Sequence, residues 1–406
     1  MKNAFVLCRG CPESAIDSAR VKTFLKINGW NTVNEIKEAD LILFRACGLT
    51  QEATEQSIRI IKRICNEKKG TARLIVWGCL PKIDPDALRT VYRGVTFGEK
   101  ETSILNEILE AKTPVAEVTA NCVDQVFASY RPGLRGGLVR AFNKLQIPTL
   151  DTLSDAHSIF QSKSIFQIKV STGCLENCSF CATRMSRGTL KSKSIDNILV
   201  EFRHGLNKGF RYFGLLGTEV GAYGRDLGYT LVDLLAEMTK EKGNYKIGLR
   251  NVHPSYLNEM FEELRPFFSR RKIWFLLSPV ESGSDRILEL MCRRYRIEEF
   301  KRCIKAMNEE FSDIFLRTQL IVGFPTETEE DFEKSVGLLD DLRFGWVEVY
   351  KFSPRLGTTA AKMANQIPEK TKEDRYRRLL LKALMQRPRK KVKYLLQHIL
   401  NLEKEV

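Results

Sequence analysis

The sequence lacks the hydrophobic runs that mark membrane and secreted proteins. No stretch of its 406 residues reaches the length of about 18 apolar residues that a membrane span needs. The N-terminus, MKNAFVLCRGC, has no basic segment followed by an apolar run of about 7–15 residues, which a secretory signal requires. The sequence therefore predicts a cytoplasmic protein that makes no contact with a membrane.

Histidine is also scarce, and neither a Ser-His-Asp set nor a pair of carboxylates stands out as a catalytic centre. Of the four histidines, His204, His253 and His398 stand in ordinary helical or loop settings, where we expect structural roles. His157 lies in a stretch without a clear pattern. The sequence therefore favours catalytic groups of another kind.

Cysteine and positive charge, by contrast, are abundant. Eleven cysteines in a chain predicted to be cytoplasmic favour metal ligands or free thiols over a disulfide framework. The net charge of +15 favours a polyanionic partner such as RNA, and a solvated basic surface is the alternative. With 43% hydrophobic residues, the chain is long enough for two or three domains with ample cores.

Three cysteines stand close together in the segment STGCLENCSFCATRMSRG. Cys174, Cys178 and Cys181 form a C-x3-C-x2-C array that one loop can wrap around one ligand. A 4Fe-4S cluster has four irons, so three thiolates leave one iron open for an exogenous ligand. Structural zinc prefers four ligands in paired units, and no second pair lies nearby, while three incidental cysteines are the remaining alternative. The array therefore predicts an open iron–sulfur cluster.

A second set of cysteines follows the predicted strands of the first 97 residues. Apolar runs at 5–7, 41–44 and 74–77 alternate with helical patterns at 14–27 and 52–67, which predicts a parallel α/β sheet. Cys11, Cys47 and Cys79 each follow one of the strands. Because the carboxyl ends of parallel strands share one edge, we expect these cysteines to meet there and hold a second cluster. Buried structural cysteines are the alternative.

Strand and helix patterns resume after residue 165. Six apolar runs, separated by helical patterns, predict the strands of a partial (β/α)6 barrel rather than a closed eight-fold one. The runs lie at 165–170, 212–216, 245–249, 273–277, 315–322 and 347–352. The cysteine array follows the first of these strands, so we expect it at the mouth of the barrel, which we predict to span residues 165–367.

Two segments have less regular patterns. We interpret residues 98–164 as a linker or accessory segment that follows an N-terminal domain at 1–97. Residues 368–406 form a predicted basic helical tail, in which eleven Lys or Arg residues stand against two acids between 370 and 393. A solvated face and an RNA-tracking surface are both consistent with that pattern.

Seven motifs, in order from residue 8 to about 375, carry a family resemblance. They are GCPESAIDS, ACGLTQEATEQS, WGCLPK, TEVGAYGRD, ESGSDRILELMCRRY, IVGFPTETEEDF and KFSPRLGT. With the cysteine array, they resemble those of the radical S-adenosylmethionine methylthiotransferases, which replace a C–H bond with C–SCH3. The TEVGAYGRD motif is similar to that of the subgroup that modifies threonylcarbamoyladenosine in transfer RNA.

The resemblance implies two 4Fe-4S clusters and two molecules of S-adenosylmethionine, one the methyl donor and the other the radical source. It places an auxiliary cluster on Cys11, Cys47 and Cys79 and the radical-generating cluster on Cys174, Cys178 and Cys181. It also implies a set of residues that contact S-adenosylmethionine, namely Phe180, Gly217, Thr218, Glu219, Ser282, Gly283, Ser284 and Arg294. The alternatives are an exposed strand-end acid for Glu219 and a structural ion-pair partner for Arg294. Cys8, three residues before Cys11, is a further candidate for the auxiliary site. An electron donor such as flavodoxin or ferredoxin is implied as well.

The chain also departs from the family pattern. No strand series after residue 360 resembles the family's small RNA-gripping TRAM barrel, Glu281 replaces a glutamine, and Gln319 replaces an aspartate. We expect these changes to affect the acceptor side of the site. Without an RNA-gripping domain, a peptide or protein acceptor, such as a ribosomally made precursor peptide, is favoured over transfer RNA. An iron–sulfur redox or scaffold protein without catalysis is a third hypothesis.

Overall fold

The computed structural model describes residues 2–121 and 165–385. The chain divides into two units, Met1–Gln167 and Ile168–Val406. Much of the predicted linker, with His157, lies outside the described residues, as does the end of the predicted tail, with His398. None of the helices in the described ranges is long and apolar enough to cross a membrane.

A parallel sheet forms the centre of the N-terminal unit, with the strand order β2-β1-β3-β4-β5. Its strands are β1 (Asn3–Cys8), β2 (Asn31–Thr32), β3 (Leu41–Ala46), β4 (Arg73–Gly78) and β5 (Val95–Phe97). The three predicted strands are confirmed as β1, β3 and β4. The sequence patterns missed β2 and β5, because two or three residues carry no periodic signal. This order places the topological switch point between β1 and β3, where open parallel sheets bind ligands.

Helices cover both faces of this sheet. They are α1 (Pro12–Ile27), α2 (Gln51–Glu67), α3 (Leu80–Ile83), α4 (Pro85–Arg89) and α5 (Ile104–Ile108). Successive strand residues face opposite sides, so Phe5 and Leu7 pack with α2 in one apolar cluster, and Ala4 and Val6 pack with α1 in the other. Because both faces are buried, the strands appear in the sequence as continuous apolar runs.

A second sheet, with the strand order β13-β12-β11-β10-β9-β6, forms the centre of the C-terminal unit. Its strands are β6 (Ile165–Lys169), β9 (Tyr212–Leu216), β10 (Lys246–Leu249), β11 (Ile273–Leu277), β12 (Phe315–Val322) and β13 (Trp346–Lys351). The pairs from β9 to β13 are parallel, which confirms the predicted open barrel. Strands β7 (Ser171–Thr172) and β8 (Lys191–Ser192) form a separate antiparallel hairpin.

Helices alternate with the barrel strands. They are α6 (Thr183–Arg187), α7 (Ile195–Asn207), α8 (Leu231–Met238), α9 (Pro254–Ser269), α10 (Asp285–Leu290), α11 (Ile297–Glu310), α12 (Glu329–Asp341), α13 (Thr359–Lys362) and α14 (Glu369–Met385). Reciprocal capping fixes the start of two of them. Thr230 exchanges hydrogen bonds with Asp233 in α8, and Thr328 does the same with Asp331 in α12. These caps position the loops that precede the helices.

Helix α14 confirms the predicted basic helical tail up to residue 385 and packs on β13 and α12. Arg375 is buried, and its guanidinium binds the carboxylates of Glu327 (2.8 Å) and Glu329 (3.2 Å). Arg378 pairs with Glu329 as well. Both arginines are paired with glutamates of the same unit. These ion pairs favour a structural role over RNA contact for this part of the tail.

The ion pair of Arg375 gives a test of this packing. We expect Arg375→Met to lower the free energy of unfolding by about 3–5 kcal/mol, because it leaves the buried Glu327 carboxylate without its partner. Arg377, whose side chain is 68% exposed, pairs with Glu373 on the same helix, so Arg377→Met should change stability by about 0.5 kcal/mol or less. Denaturant unfolding of both variants measures the difference. Equal losses would contradict the structural role of the buried pair.

Candidate functional site

The three cysteines of the array lie in the loop between β7 and α6. Gly173 begins this loop with a φ of +73°, and a Cβ atom there would lie 2.0 Å from the Thr189 carbonyl oxygen, so the position requires glycine. The Cys174 amide then donates to the Gly188 carbonyl oxygen (3.1 Å). The loop is therefore closed on itself, as wrapping one ligand requires.

Ser179 ties the same loop to the rest of the barrel. Its amide donates to the Met291 carbonyl oxygen (3.0 Å), its hydroxyl donates to that of Leu290 (2.7 Å), and its own carbonyl accepts from the Ala360 amide (2.8 Å). Phe180, the next residue, packs in an apolar cluster with Met291 and Ala360. Phe180 therefore anchors the loop, and its contact with a cofactor stays a prediction.

The cysteines of the array are partly buried thiols. Burial, together with the nearby Glu219 carboxylate, raises the pKa of Cys174 to about 12. Burial also raises the pKa of Cys178 to about 12, although Arg293 opposes the shift. Such thiols stay protonated and poorly reactive unless a cation compensates the thiolate charge. A metal cluster bound by the loop would supply that compensation.

Arg293 lies beside the array. Its Nη1 atom is 3.8 Å from the Cys178 sulfur and 3.7 Å from Glu281 Oε1, and its guanidinium lies over the Tyr295 ring with 5.6 Å to the centroid. Its neighbour Arg294, which the resemblance implies as a contact of S-adenosylmethionine, has an exposed side chain. The sequence contains a sign that Arg293 is the buried arginine. The large apolar ring of Tyr295 stands two positions after it, and residues two apart in an extended stretch share a face.

Glu219 lies at the carboxyl end of β9, where the segment from Gly217 to Glu219 was predicted to meet S-adenosylmethionine. The Glu219 Oε1 atom accepts from the Gly221 and His253 amides at 2.9 Å each. Burial raises its pKa to about 8, against the effect of these two hydrogen bonds. Thr218 accepts a hydrogen bond from Arg187 (3.2 Å). The carboxylate is thus held rigidly near the array, with no hydrogen bond to its Oε2 atom among the described residues.

The residues that follow Glu219 attach this loop to the β7–β8 hairpin. The Tyr223 hydroxyl donates to the Lys193 carbonyl oxygen (2.7 Å), and the Gly224 amide donates to the Ser192 hydroxyl (3.0 Å). The Ser192 amide in turn donates to the Asp226 carboxylate (2.8 Å). The TEVGAYGRD segment therefore lies against the hairpin that carries the cysteine array.

Ser282, Gly283 and Ser284 are held by α12. The Gly283 amide donates to the Ser335 hydroxyl (2.8 Å), and the Ser284 hydroxyl donates to the Asp331 carboxylate (2.6 Å). Ser282 and Ser284 are buried. The structure thus gives both serines protein partners, and their predicted contact with S-adenosylmethionine stays a prediction.

In the N-terminal unit, Cys11, Cys47 and Cys79 follow β1, β3 and β4, which are neighbours in the sheet. Cys11 precedes the first turn of α1, where the helix dipole favours a thiolate. The Cys79 amide donates to the Ala46 carbonyl oxygen (3.1 Å). Gly78 has a φ of +107°, and a Cβ atom there would lie 2.9 Å from that oxygen. The three cysteines share the predicted edge, and their role as ligands stays a prediction.

A buried arginine also lies beside these cysteines. Arg45, 1% exposed, contacts the carboxylates of Asp17 (3.3 Å) and Glu99, and its guanidinium lies over the Trp77 ring at 5.1 Å. Burial lowers the pKa of Arg45, but Glu99 and Asp17 reverse the shift and raise it above its usual range. The Cys79 thiol donates to Glu99 (3.2 Å). Arg45 therefore stays charged within reach of this site.

Cys8 occupies a different setting from Cys11. It is the last residue of β1 and is buried, and its thiol donates to the Ser14 carbonyl oxygen (3.4 Å). Burial raises the pKa of Cys8 to about 12. Cys11 is less buried, with its sulfur 3.3 Å from the Ser14 hydroxyl. This thiol hydrogen bond gives Cys8 a structural role and favours Cys11 as the ligand.

Each cysteine group supplies three thiol side chains, the donor set that suits a 4Fe-4S cluster with one open iron. Within residues 2–121 and 165–385, no group of three or more His, Cys, Asp or Glu side chains is arranged to hold one ion, as a zinc site would require. A 4Fe-4S cube spreads its thiolates over a wider volume. Cys174, Cys178 and Cys181 would hold one cluster, and Cys11, Cys47 and Cys79 would hold the other.

Each of the two units matches a different family model. The Radical SAM superfamily matches residues 168–339, and the uncharacterized protein family UPF0004 matches residues 3–98. A radical S-adenosylmethionine methyltransferase from Kitasatospora setae, solved with a tryptophan substrate and an S-adenosylmethionine analogue, has a similar fold, with a TM-score of 0.59 at 13% identity. That likeness covers 89% of this chain and 75% of the solved one.

Two curated relatives extend over most of the chain. A probable threonylcarbamoyladenosine tRNA methylthiotransferase from Pyrococcus horikoshii is 29% identical, over 93% of this chain and 83% of its own length. A ribosomal protein uS12 methylthiotransferase from Thermodesulfovibrio yellowstonii is 30% identical, over 94% of this chain and 82% of its own length. Both relatives therefore align with both units.

Iron analysis tests the two cysteine groups separately. After anaerobic reconstitution, we expect about eight iron atoms per chain, and about four in a variant with Cys174, Cys178 and Cys181 replaced by alanine. The triple variant of Cys11, Cys47 and Cys79 should also retain about four. Alanine variants of the exposed Cys65 and Cys292 are the controls and should lose none. Full iron content in either triple variant would remove that group as a cluster site.

Proposed function

The chain belongs to the radical S-adenosylmethionine methylthiotransferases, and we propose that its acceptor is the threonylcarbamoyladenosine of a transfer RNA. Enzymes of this family are transferases that use S-adenosylmethionine and two 4Fe-4S clusters, which together supply a radical and a methylthio group when bound. The remaining question for this chain is which molecule receives that group.

The observation that carries the proposal is the setting of the TEVGAYGRD segment. This segment resembles the threonylcarbamoyladenosine subgroup, and it lies against the hairpin that carries the cysteine array. An acceptor carbon must come close to the radical source, since positioning determines which C–H bond reacts. A segment attached beside the array is thus suited to contact the acceptor. The net charge of +15 and the relative from Pyrococcus horikoshii agree with an RNA acceptor.

Our expectation of a precursor peptide finds no support in the two relatives, which act on transfer RNA and on a ribosomal protein. The ribosomal protein is therefore the second candidate acceptor. The cations of α14 do not decide between the two, because Arg375 and Arg378 are engaged with acidic residues of their own unit.

The chain's own residues have distinct tasks in this proposal. The loop of Cys174, Cys178 and Cys181 would hold the cluster that binds S-adenosylmethionine. Glu219, fixed by two amides, has its Oε2 atom available to accept a charge-assisted hydrogen bond from the ammonium group of that cofactor. Cys11, Cys47 and Cys79 would hold the auxiliary cluster in the other unit. A one-electron donor such as flavodoxin or ferredoxin stays a prediction.

An acceptor assay tests the proposal directly. The reconstituted enzyme is incubated with S-adenosylmethionine, dithionite and either transfer RNA containing threonylcarbamoyladenosine, the same RNA without that modification, or ribosomal protein uS12. We expect methylthiolated nucleoside, by mass spectrometry, from the first RNA alone. Product on uS12 and not on RNA would overturn the proposed acceptor. Absence of 5′-deoxyadenosine in all three reactions would overturn the assigned reaction.

Variants of the two cysteine groups should differ in which of the two reaction products they lose. We expect Cys47→Ala to abolish methylthiolated product and to leave 5′-deoxyadenosine formation intact, because radical formation depends on the array in the other unit. Cys178→Ala should abolish both products. Chromatography of both products from one reaction measures the split, with Cys65→Ala as the matched control. Loss of 5′-deoxyadenosine in Cys47→Ala would contradict separate tasks for the two groups.

A further inference from the structure

We propose that Arg293 raises the reduction potential of the cluster held by Cys174, Cys178 and Cys181. The inference rests on the proposed function, since it assumes that this array binds a redox-active cluster. It assigns to Arg293 a positioning and electrostatic role toward one sulfur ligand, which neither the family motifs nor the relatives specify.

The fold directs the Arg293 side chain inward. Residues 291–296 leave α10 with alternating burial, so that Met291, Arg293 and Tyr295 are buried, while Arg294 and Arg296 are exposed. Met291 and Cys292 form the turn that ends α10, in which Cys292 has a φ of +57°, and the next residue, Arg293, is buried. The backbone of this segment also holds the array, because the Met291 carbonyl oxygen accepts from the Ser179 amide (3.0 Å). The arginine and the cysteine loop are thus fixed to the same stretch of chain.

The guanidinium is aimed at one sulfur atom. Its Nη1 atom donates to Cys178 Sγ at 3.8 Å, and its Nη2 atom donates to the Pro279 carbonyl oxygen. The Tyr295 ring, with its centroid 5.6 Å away, supports the cation from one side. Because the side chain of Arg293 is 4% exposed, water does little to screen its charge from the sulfur.

Nearby carboxylates reduce the electrostatic effect of Arg293 on the Cys178 sulfur, but the effect of Arg293 remains the larger one. Glu281 is the nearest carboxylate, at 3.7 Å from Nη1, a distance longer than that of a strong hydrogen bond. Glu219 and Glu176 also act on the site, and Glu176 accepts from the Tyr256 hydroxyl (2.7 Å). The sulfur of Cys178 therefore has an N–H donor in Arg293, and the charge of Arg293 acts on it more strongly than the charges of Glu281 and Glu176.

Reduction of a bound cluster adds one negative charge. A hydrogen bond to a sulfur ligand and a buried cation both stabilise the more negative state, and both raise the potential. A carboxylate near that cation has the opposite effect. Arg293 and Glu281 should therefore shift the potential in opposite directions, whereas a purely structural role would not predict opposite signs.

The test measures midpoint potentials rather than turnover. The full-length chain with Cys11, Cys47 and Cys79 replaced by alanine would hold one cluster, which is titrated by electron paramagnetic resonance without S-adenosylmethionine. In this background we expect Arg293→Met to reduce the ratio of reduced to oxidised cluster about tenfold at a fixed potential, which equals 59 mV for one electron. Glu281→Gln should raise that ratio. Arg293→Lys should restore part of the loss, because it keeps the charge and loses the planar fork.

Arg296→Met, in the same segment with 66% of its side chain exposed, is the matched control and should leave the ratio unchanged. An unchanged ratio in Arg293→Met, or shifts of the same sign in Arg293→Met and Glu281→Gln, would overturn the inference. If Arg293→Met fails to retain a cluster, Glu281→Gln still decides by the sign of its shift. If the unmodified array binds no cluster at all, the proposed function fails instead.

Discussion

The cost of burying a cation beside a cysteine is the constraint on which both units depend. Arg45 in the N-terminal unit and Arg293 in the barrel are each buried, each lie over an aromatic ring and each face a glutamate. A buried guanidinium without such partners would be strongly destabilising. Its neighbours therefore have to stay in place, and the cysteines next to it stay in place with them. Each unit thus contains the same local arrangement, in which a buried arginine beside a cysteine contacts an aromatic ring and a glutamate.

The sequence predicts the sheets well and the side-chain contacts less well. Strands β1, β3 and β4 were predictable because a sheet buried on both faces needs continuous apolar runs. The choice between Arg293 and Arg294 was harder, since it depends on where α10 ends and therefore on which face each residue occupies. In the sequence, the apolar ring of Tyr295, two positions after Arg293, is the signal that indicates which of the two arginines is buried.

Motif residues reflect packing as well as chemistry, and a sequence does not separate the two. Phe180 stands inside the cysteine array, yet it packs in an apolar cluster with Met291. Ser284 stands in a motif associated with cofactor binding, yet its hydroxyl donates to Asp331 of α12. Both residues hold a functional loop in place, so a motif pattern would retain them even if they never met a ligand. Only the contacts of the folded chain distinguish these tasks.

The two departures from the family pattern illustrate the same point. We expected Glu281 and Gln319 to alter the acceptor side of the site, but the Glu281 amide donates to the Gln319 carbonyl oxygen (2.8 Å), which makes them neighbours. Where the family commonly has an amide at the first position and a carboxylate at the second, this chain has the reverse. The two positions still carry one carboxylate between them, and in this chain it stands at Glu281, near Arg293. The exchange therefore concerns the charge balance near the cysteine array, and it gives no reason to favour a peptide acceptor over RNA.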